Sequence, residues 1–286
     1  MIPAQGTRFL VVGFGSSGEA AAQLLARQGA RVTVVDEAET EEMKRRARRK
    51  KNAGIRFVLG SSTPPAEAFA AAVMSPGVDP RRGLGRAVAK RGIPSYGEIE
   101  VASWFCRCPM AALTGTNGKT TTTELVTRAL RAGGRRALAA GNIGLPLSEA
   151  VLRSGDLDWL VVEASSFQLE GVDRFRPRVS VMMNITPDHL DRYADVEEYA
   201  RAKAALWRNQ GADDVCVVNR DTEELFARLR LAPPGRVVRY SARGADADFR
   251  FDGDAIVGPA TGGRAFRMKE TRLRGAHNAE NAMAAL

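Results

Sequence analysis

The string Leu113-Thr114-Gly115-Thr116-Asn117-Gly118-Lys119-Thr120 has the residue types of a loop that wraps phosphate, with an apolar run before it and a helical pattern after it. Glycines let backbone N–H groups curl around phosphate oxygens, and the start of the following helix adds partial positive charge. Lys119 is placed to neutralise the β and γ phosphates of a nucleoside triphosphate, and the Thr120 hydroxyl to hold magnesium. The usual spacing puts a glycine at position 113; Leu113 stands there, and Gly115 supplies the turn. ATP with magnesium, bound from Gly115 through Thr116, Asn117, Gly118, Lys119 and Thr120 to Thr121, is the chemistry these residues suit.

Four further features carry chemistry. Asp158-Trp159-Leu160-Val161-Val162-Glu163 reads as an apolar strand ending on an acid, where a metal-holding carboxylate stands beside a phosphate loop. Many strands end on an acid, so the neighbouring loop is what favours a functional Glu163. His189 sits in Asn184-Ile185-Thr186-Pro187-Asp188-His189-Leu190-Asp191, with acids on both sides. That pattern suits a metal or phosphate site, or a capping and packing histidine. Lys203 follows Tyr199 and precedes Trp207 by one turn each, so it borders the apolar face of a helix. A half-buried lysine there has a lowered pKa and is chemically reactive; a solvated one is neither. Finally, Gly13, Gly15 and Gly18 with Asp36 match the dinucleotide fingerprint, which by itself suggests a nicotinamide cofactor. Physically it requires only that some diphosphate sits at a helix N-terminus.

These residues need a scaffold, and the alternation of apolar runs with helical patterns supplies one. Strands are expected over 8–12 and 31–36 with a helix over 20–28, then a third strand over 70–74 and a Gly- and Pro-rich connection over 92–97. The domain boundary is placed near Gly97. Beyond it, strands over 110–113, 137–140, 159–162, 179–183 and 214–218 alternate with helices over 120–132, 147–153 and 196–207. From Val237 the pattern turns choppy, with short strands over 249–251 and 265–268. Such alternation means an α/β protein with mostly parallel sheets. The terminal residues 277–286 begin a helix in mid-pattern, which suggests that a C-terminal portion is lacking.

Bulk properties narrow the classes. A chain of 286 residues suits two domains, at about 100–200 residues each. No apolar run is long enough to span a membrane, and the N-terminus lacks a secretory pattern. Three cysteines, Cys106, Cys108 and Cys216, form neither a disulfide framework nor a zinc spacing, so a cytoplasmic setting is expected. Lys and Arg exceed Asp and Glu by 42 to 33. Part of that excess is the run 44–51, read as a solvated helix face; no aromatic residues interleave with it, and no nucleic-acid partner is expected.

Several strings together resemble one family: T-G-T-N-G-K-T-T, G-N-I-G-L-P-L, E-A-S-S-F-Q-L-E, N-I-T-P-D-H-L-D-R-Y, Y-A-R-A-K and G-A-H-N-A-E-N-A look like the Mur ligases of peptidoglycan synthesis, in order along the chain. S-S-F-Q-L-E and D-H-L-D-R-Y most resemble the D-glutamate-adding branch. The resemblance implies an N-terminal Rossmann-like domain over 1–97 that binds the UDP substrate and a central P-loop-type ATPase domain over 98–286. It implies a monomeric amide-forming ligase with UDP-N-acetylmuramoyl-L-alanine and D-glutamate as substrates. By motif matching, Lys119, Glu163, His189 and Lys203 are catalytic; Asn278 and Asn281 join the ATP loop on the adenine side. Ser16, Ser17, Asp36, Ser75 and Gly77 hold the uridine diphosphate, and Asn142, Ser165 and His189 meet the muramoyl substrate. Thr120 and Glu163 hold one magnesium, and His189 with a carbamylated Lys203 a second. The family's third domain, which binds the incoming amino acid, is absent by this reading, so weak ligation is expected. A sister ligase, a folylpolyglutamate synthetase-like enzyme and a nicotinamide-binding oxidoreductase are the rival readings.

Overall fold

The computed structural model describes residues 4–50, 54–244, 246–259 and 266–286, and the chain forms two compact units. The first contains residues 1–107, 145–155 and 167–175; the second contains 108–144, 156–166 and 176–286. The units therefore divide at Arg107 and Cys108 rather than near Gly97, and two later segments return to the first unit.

In the first unit, β1 (Arg8–Val12), α1 (Ser16–Arg27), β2 (Arg31–Asp36), α2 (Glu41–Lys50), β3 (Ile55–Leu59), β4 (Ala71–Met74), α3 (Gly83–Lys90), β5 (Ser95–Gly97) and α4 (Glu98–Ser103) follow in order. All five strands are parallel in the order β3-β2-β1-β4-β5. The expected third strand is thus the fourth, and 55–59 is the third. Its burial explains the miss: only Ile55 is fully buried, so this edge strand lacks the continuous apolar run of β1. The residues at 92–97, read as connection, end in the short edge strand β5.

Two glycines set the turn after β1. Gly13 has φ of 94°, and a Cβ on Gly18 would stand 2.0 Å from the Gly13 carbonyl oxygen, so only glycine lets α1 start this close to the strand end. Strand order switches direction between the parallel neighbours β1 and β4, whose carboxyl ends carry this turn and Ser75.

Helix α4 fastens the two returning segments through buried carboxylates. Glu100, fully buried, accepts the Trp104 indole N–H at 2.7 Å and the backbone N–H groups of Asp173, Arg174 and Phe175 at 2.8–3.0 Å. Glu98 accepts the Ser148 backbone N–H at 2.6 Å, at the start of the short helix α6 (Leu147–Ala150). Its other oxygen and the Ser148 hydroxyl are buried without a hydrogen-bond partner. Burial raises the Glu98 pKa to about 6, against the pull of the Ser148 backbone N–H.

The second unit is built on a nine-stranded sheet in the order β14-β13-β12-β11-β10-β9-β6-β8-β7. Strands β6 (Met110–Thr114), β7 (Ala137–Gly141), β8 (Trp159–Glu163), β9 (Val179–Met182), β10 (Val215–Asn219), β11 (Arg236–Ser241) and β12 (Phe249–Phe251) pair in parallel. β13 (Ala255–Val257) and β14 (Phe266–Arg267) pair antiparallel at the edge. The choppy stretch after Val237 therefore includes a regular six-residue strand, β11. Of the strand expected over 265–268, position 265 lies outside the described residues. Helices α5 (Lys119–Ala132), α7 (Ser166–Glu170), α8 (Val196–Ala204), α9 (Glu223–Arg228) and α10 (Ala276–Ala285) complete the elements. Adjacent strand residues feed opposite faces: Val181 and Met183 join one core with Leu113, Tyr240 and Met283, while Met182 joins Trp207, Val218 and Phe226 on the other. Asp195 caps α8 by accepting the Glu198 N–H, and Glu198 accepts the Ala194 N–H in return. Among the described residues no helix is long and apolar enough to cross a membrane.

Two predictions follow from α4. Glu100→Ala removes the shared acceptor of four donors, the buried Phe175 N–H among them, and should cost about 3 kcal/mol, read as a lower urea midpoint. An unchanged midpoint refutes the clamp. Because the Glu98 pKa is raised from 4.5 to about 6, its neutral form stabilises the fold below pH 4.5, and this contribution is lost as pH rises through 6. Glu98→Gln should therefore raise the melting temperature at neutral pH relative to the native protein, with the difference shrinking toward pH 5.

Candidate active site

The loop that follows β6 is held from below by its neighbour strand. Register pairs Leu113 with both Glu163 and Val181, and Thr114 with Met182, so the ends of β6, β8 and β9 lie side by side. The Thr114 hydroxyl donates to the Ala164 carbonyl at 2.8 Å. Asn184, just past β9, then grips the loop: its carbonyl accepts the Thr116 N–H, its side-chain oxygen accepts the Asn117 N–H, and its amide donates to the Asn117 carbonyl, at 2.8–3.0 Å. Gly118 opens α5 with φ of 83°; a Cβ there would meet the Asn281 side-chain oxygen at 2.2 Å. Asn281 of α10 in turn accepts the Thr122 hydroxyl at 3.4 Å and donates to Asn278 at 3.3 Å. Asn281 thus stands against the loop, with Asn278 behind it on the same helix.

At the other end of the loop, Thr120 Oγ1 donates to Glu163 Oε2 at 2.9 Å. Glu163 is 2% exposed, and its second oxygen accepts the Asn142 amide at 3.0 Å. Loop threonine, strand-end acid and Asn142 therefore form one hydrogen-bonded row. Ser165, half-buried, follows Ala164 directly.

The lysines meet on the loop's inner side. Lys119 Nζ donates to the carbonyls of Gly115 and Thr116 at 2.9 and 2.7 Å, and Lys203 Nζ donates to the same Gly115 carbonyl at 2.9 Å. The sequence left Lys203 open between a solvated lysine, the default on a helix, and a half-buried one; it is 1% exposed. Burial and then the Lys119 charge lower its pKa to about 7, opposed by Asp188. Burial also lowers the Lys119 pKa, opposed by Glu163 and Asp188. Tyr199, one turn before Lys203, lies under the Lys203 ammonium at 4.4 Å, and its hydroxyl is 3.4 Å from the Thr116 hydroxyl. The His189 ring packs edge-on against Tyr199 at 6.2 Å, and Asp188 Oδ2 lies 3.6 Å from His189 Nε2. His189 takes φ of 53°, an uncommon backbone for a non-glycine residue. Lys119, Thr120, Glu163, Asn142, His189 and Lys203 are thereby gathered around one loop.

Sequence reasoning missed three members of this site. Asn184 and Asp188 lay inside a motif already singled out for His189, and Tyr199 was marked only as a neighbour of Lys203. Their signal was present in spacing, but their roles depend on strand order.

The first unit holds the other expected residues. Asp36 accepts the Phe14 N–H at 2.6 Å and the Ala38 N–H at 2.8 Å, so the fingerprint acid braces the glycine turn. Ser75, buried, donates its hydroxyl to the Gly13 carbonyl at 3.1 Å and braces the same turn. Ser17 is half-buried at the start of α1, and Ser16 and Gly77 are exposed.

Residues 113–286 match the Mur ligase middle domain. The chain is 41% identical over 292 residues to a UDP-N-acetylmuramoylalanine--D-glutamate ligase from Salinibacter ruber, and 44% identical over 301 residues to one from Anaeromyxobacter dehalogenans. The alignments cover 98% and 99% of this chain; the chain spans 63% of the length of each relative. Among solved structures, its fold is similar to that of a UDP-N-acetylmuramate:L-alanyl-gamma-D-glutamyl-meso-diaminopimelate ligase from Neisseria meningitides. That match has a TM-score of 0.61 and 20% identity, over 98% of this chain and 92% of that one. MurF from Acinetobacter baumannii matches with a TM-score of 0.56 and 17% identity, over 97% and 58%. The Mur ligase middle domain is matched over more than half of the chain, its phosphate loop and buried strand-end acid included, and the chain belongs to the Mur ligase family.

Proposed function

We propose that this protein serves ATP-dependent amide formation, joining D-glutamate to UDP-N-acetylmuramoyl-L-alanine in peptidoglycan precursor synthesis. The observation that carries ATP use is the row Thr120–Glu163–Asn142 beside a loop on which a half-buried and a buried lysine converge. The choice of D-glutamate rests on the names of the relatives. The first unit, with its glycine turn braced by Asp36 and Ser75 and with Ser16, Ser17 and Gly77 nearby in sequence, is the proposed holder of the uridine diphosphate.

In this scheme the substrate carboxylate attacks the γ-phosphorus of ATP, giving an acyl phosphate and ADP; the amine of D-glutamate then displaces phosphate through a tetrahedral intermediate. The protein contributes position and charge rather than covalent chemistry. Lys119 neutralises the phosphates. Asn278 and Asn281 flank the base, and Thr116, Asn117, Gly118 and Thr121 shape the loop around the phosphates. Asn142, Ser165 and His189 orient the muramoyl end.

The residues present fit magnesium: Thr120 and Glu163 offer hard oxygen donors 2.9 Å apart, which this ion prefers. Magnesium, when bound, screens the negative charge of the phosphates and the incoming carboxylate. As an ammonium, Lys203 cannot be a ligand. Its neutral amine can add to carbon dioxide, forming an N–C bond and releasing one proton, and the resulting carbamate supplies oxygens beside His189 for a second ion. A lysine with pKa about 7 offers that neutral amine near neutrality, whereas an ordinary lysine does not.

Lys119→Ala should weaken binding of magnesium-ATP at least tenfold in titration calorimetry, and an unchanged affinity refutes the site. With 13C-bicarbonate, a carbamate NMR signal should appear and grow between about pH 6 and 8 as the amine loses its proton. Lys203→Ala should abolish that signal; persistence of the signal in the variant removes Lys203 from the scheme.

A further inference from the structure

Three basic residues of α2 are left over once its ion pairs are counted. Lys44 reaches Glu39 and Glu41 at 3.6 and 3.2 Å, and both Arg46 and Lys50 reach Glu19. Arg45, Arg48 and Arg49 are exposed and make no ion pair or side-chain hydrogen bond among the described residues. They stand three and four positions apart, so they form one stripe, while Met43 and Ala47 are buried. Like charges at this spacing repel one another along a helix, and among the described residues no ion pair reaches these three.

The surroundings extend the charge. Segments 4–8, 27–31 and 48–56 contain no Asp or Glu. Arg8 and Arg31 are register partners at the start of β1 and β2, both exposed, and exposed Arg27 ends α1. These positions lie at the amino ends of the strands, whereas the glycine turn and Ser75 lie at the carboxyl ends. Arg48 also lines a hollow of about 480 Å³ at the outer edge of β3, with Ala47, Ile55 and Phe57 as apolar walls and Arg56 on the rim. Arg56 is bridged to Glu67 at 2.9 Å, whereas the Arg48 guanidinium has no ion pair among the described residues.

The geometry points to a membrane surface rich in anionic phospholipid as the partner of this face. Headgroup phosphates meet the Arg45–Arg48–Arg49 stripe, since guanidinium groups take phosphate oxygens in pairs. The apolar walls of the hollow receive the glycerol end of one lipid. Basic stripes on a helix bind such surfaces with a gain of roughly 1 kcal/mol per residue. Single-stranded nucleic acid fits less well: Phe57 is half-buried against Phe14, so no exposed ring is available for base stacking. A helix of ten residues is only about 15 Å long and meets few phosphates of a duplex.

Flotation of the full chain with phosphatidylcholine vesicles, with and without phosphatidylglycerol, tests this. Binding should need phosphatidylglycerol and weaken with salt. It should fall about a hundredfold in R45E/R48E/R49E, three residues at roughly a tenfold step per 1.4 kcal/mol. R45Q/R48Q/R49Q should fall in the same direction, guarding against a misfolded charge reversal. R128E/R153E/R228E, which changes the net charge equally at exposed sites elsewhere, should bind as the native protein does. The proposal is overturned if phosphatidylglycerol makes no difference, if the control triple loses as much as the α2 triple, or if a short RNA binds while vesicles do not.

Discussion

Two ammonium groups share one carbonyl oxygen, that of Gly115, and most of the second unit follows from making this tolerable. A buried cation is costly unless it is paired or loses its proton. Here both happen in part. Glu163 and Asp188 approach from the ends of two strands and oppose the loss of charge, while burial pushes both lysines toward neutrality. The sheet order that sets β8 and β9 on either side of β6 is what delivers these acids to opposite flanks of one loop. A loop of the same composition on another sheet order would have kept its glycines and lost its electrostatics.

The same economy governs the polar framework. Asn184 holds the loop through three hydrogen bonds, Thr114 ties its base to the neighbouring strand, and Tyr199 stands under Lys203 while touching Thr116. None of these three needs to meet a ligand to matter, because each restricts where a reacting group can point. A site pre-shaped in this way spends little on reorganisation when charge develops.

Much of this was legible in the residues. Strands β1 and β2 were placed to the residue, because each is a short, mostly apolar, Val-rich run followed by a break in the pattern. The phosphate loop was evident from composition and from its strand–helix context, despite Leu113 in place of glycine. The failures share a cause. Strand β3 is an edge with one fully buried residue, β5 is three residues long, and β11 carries arginine at both its first and fourth positions, so none shows a clean period. The unit boundary was misplaced because it is not a point in the sequence: the anchors for 145–155 and 167–175 are two carboxylates of α4, which no local pattern reveals. Likewise Asp36 was read from the dinucleotide fingerprint and Ser75 from the family resemblance, and the hydrogen bonds of both brace the glycine turn.

That returning topology has a consequence for synthesis on the ribosome. Glu100 is made long before Asp173, Arg174 and Phe175, the donors that satisfy it, and between them the chain must lay down β6, β7 and β8 of the other unit. The N-terminal unit cannot be completed as it emerges, in the way a contiguous domain can. Its maturation is interleaved with that of its neighbour, and until residue 175 leaves the exit tunnel an acidic helix waits with its binding partners unmade.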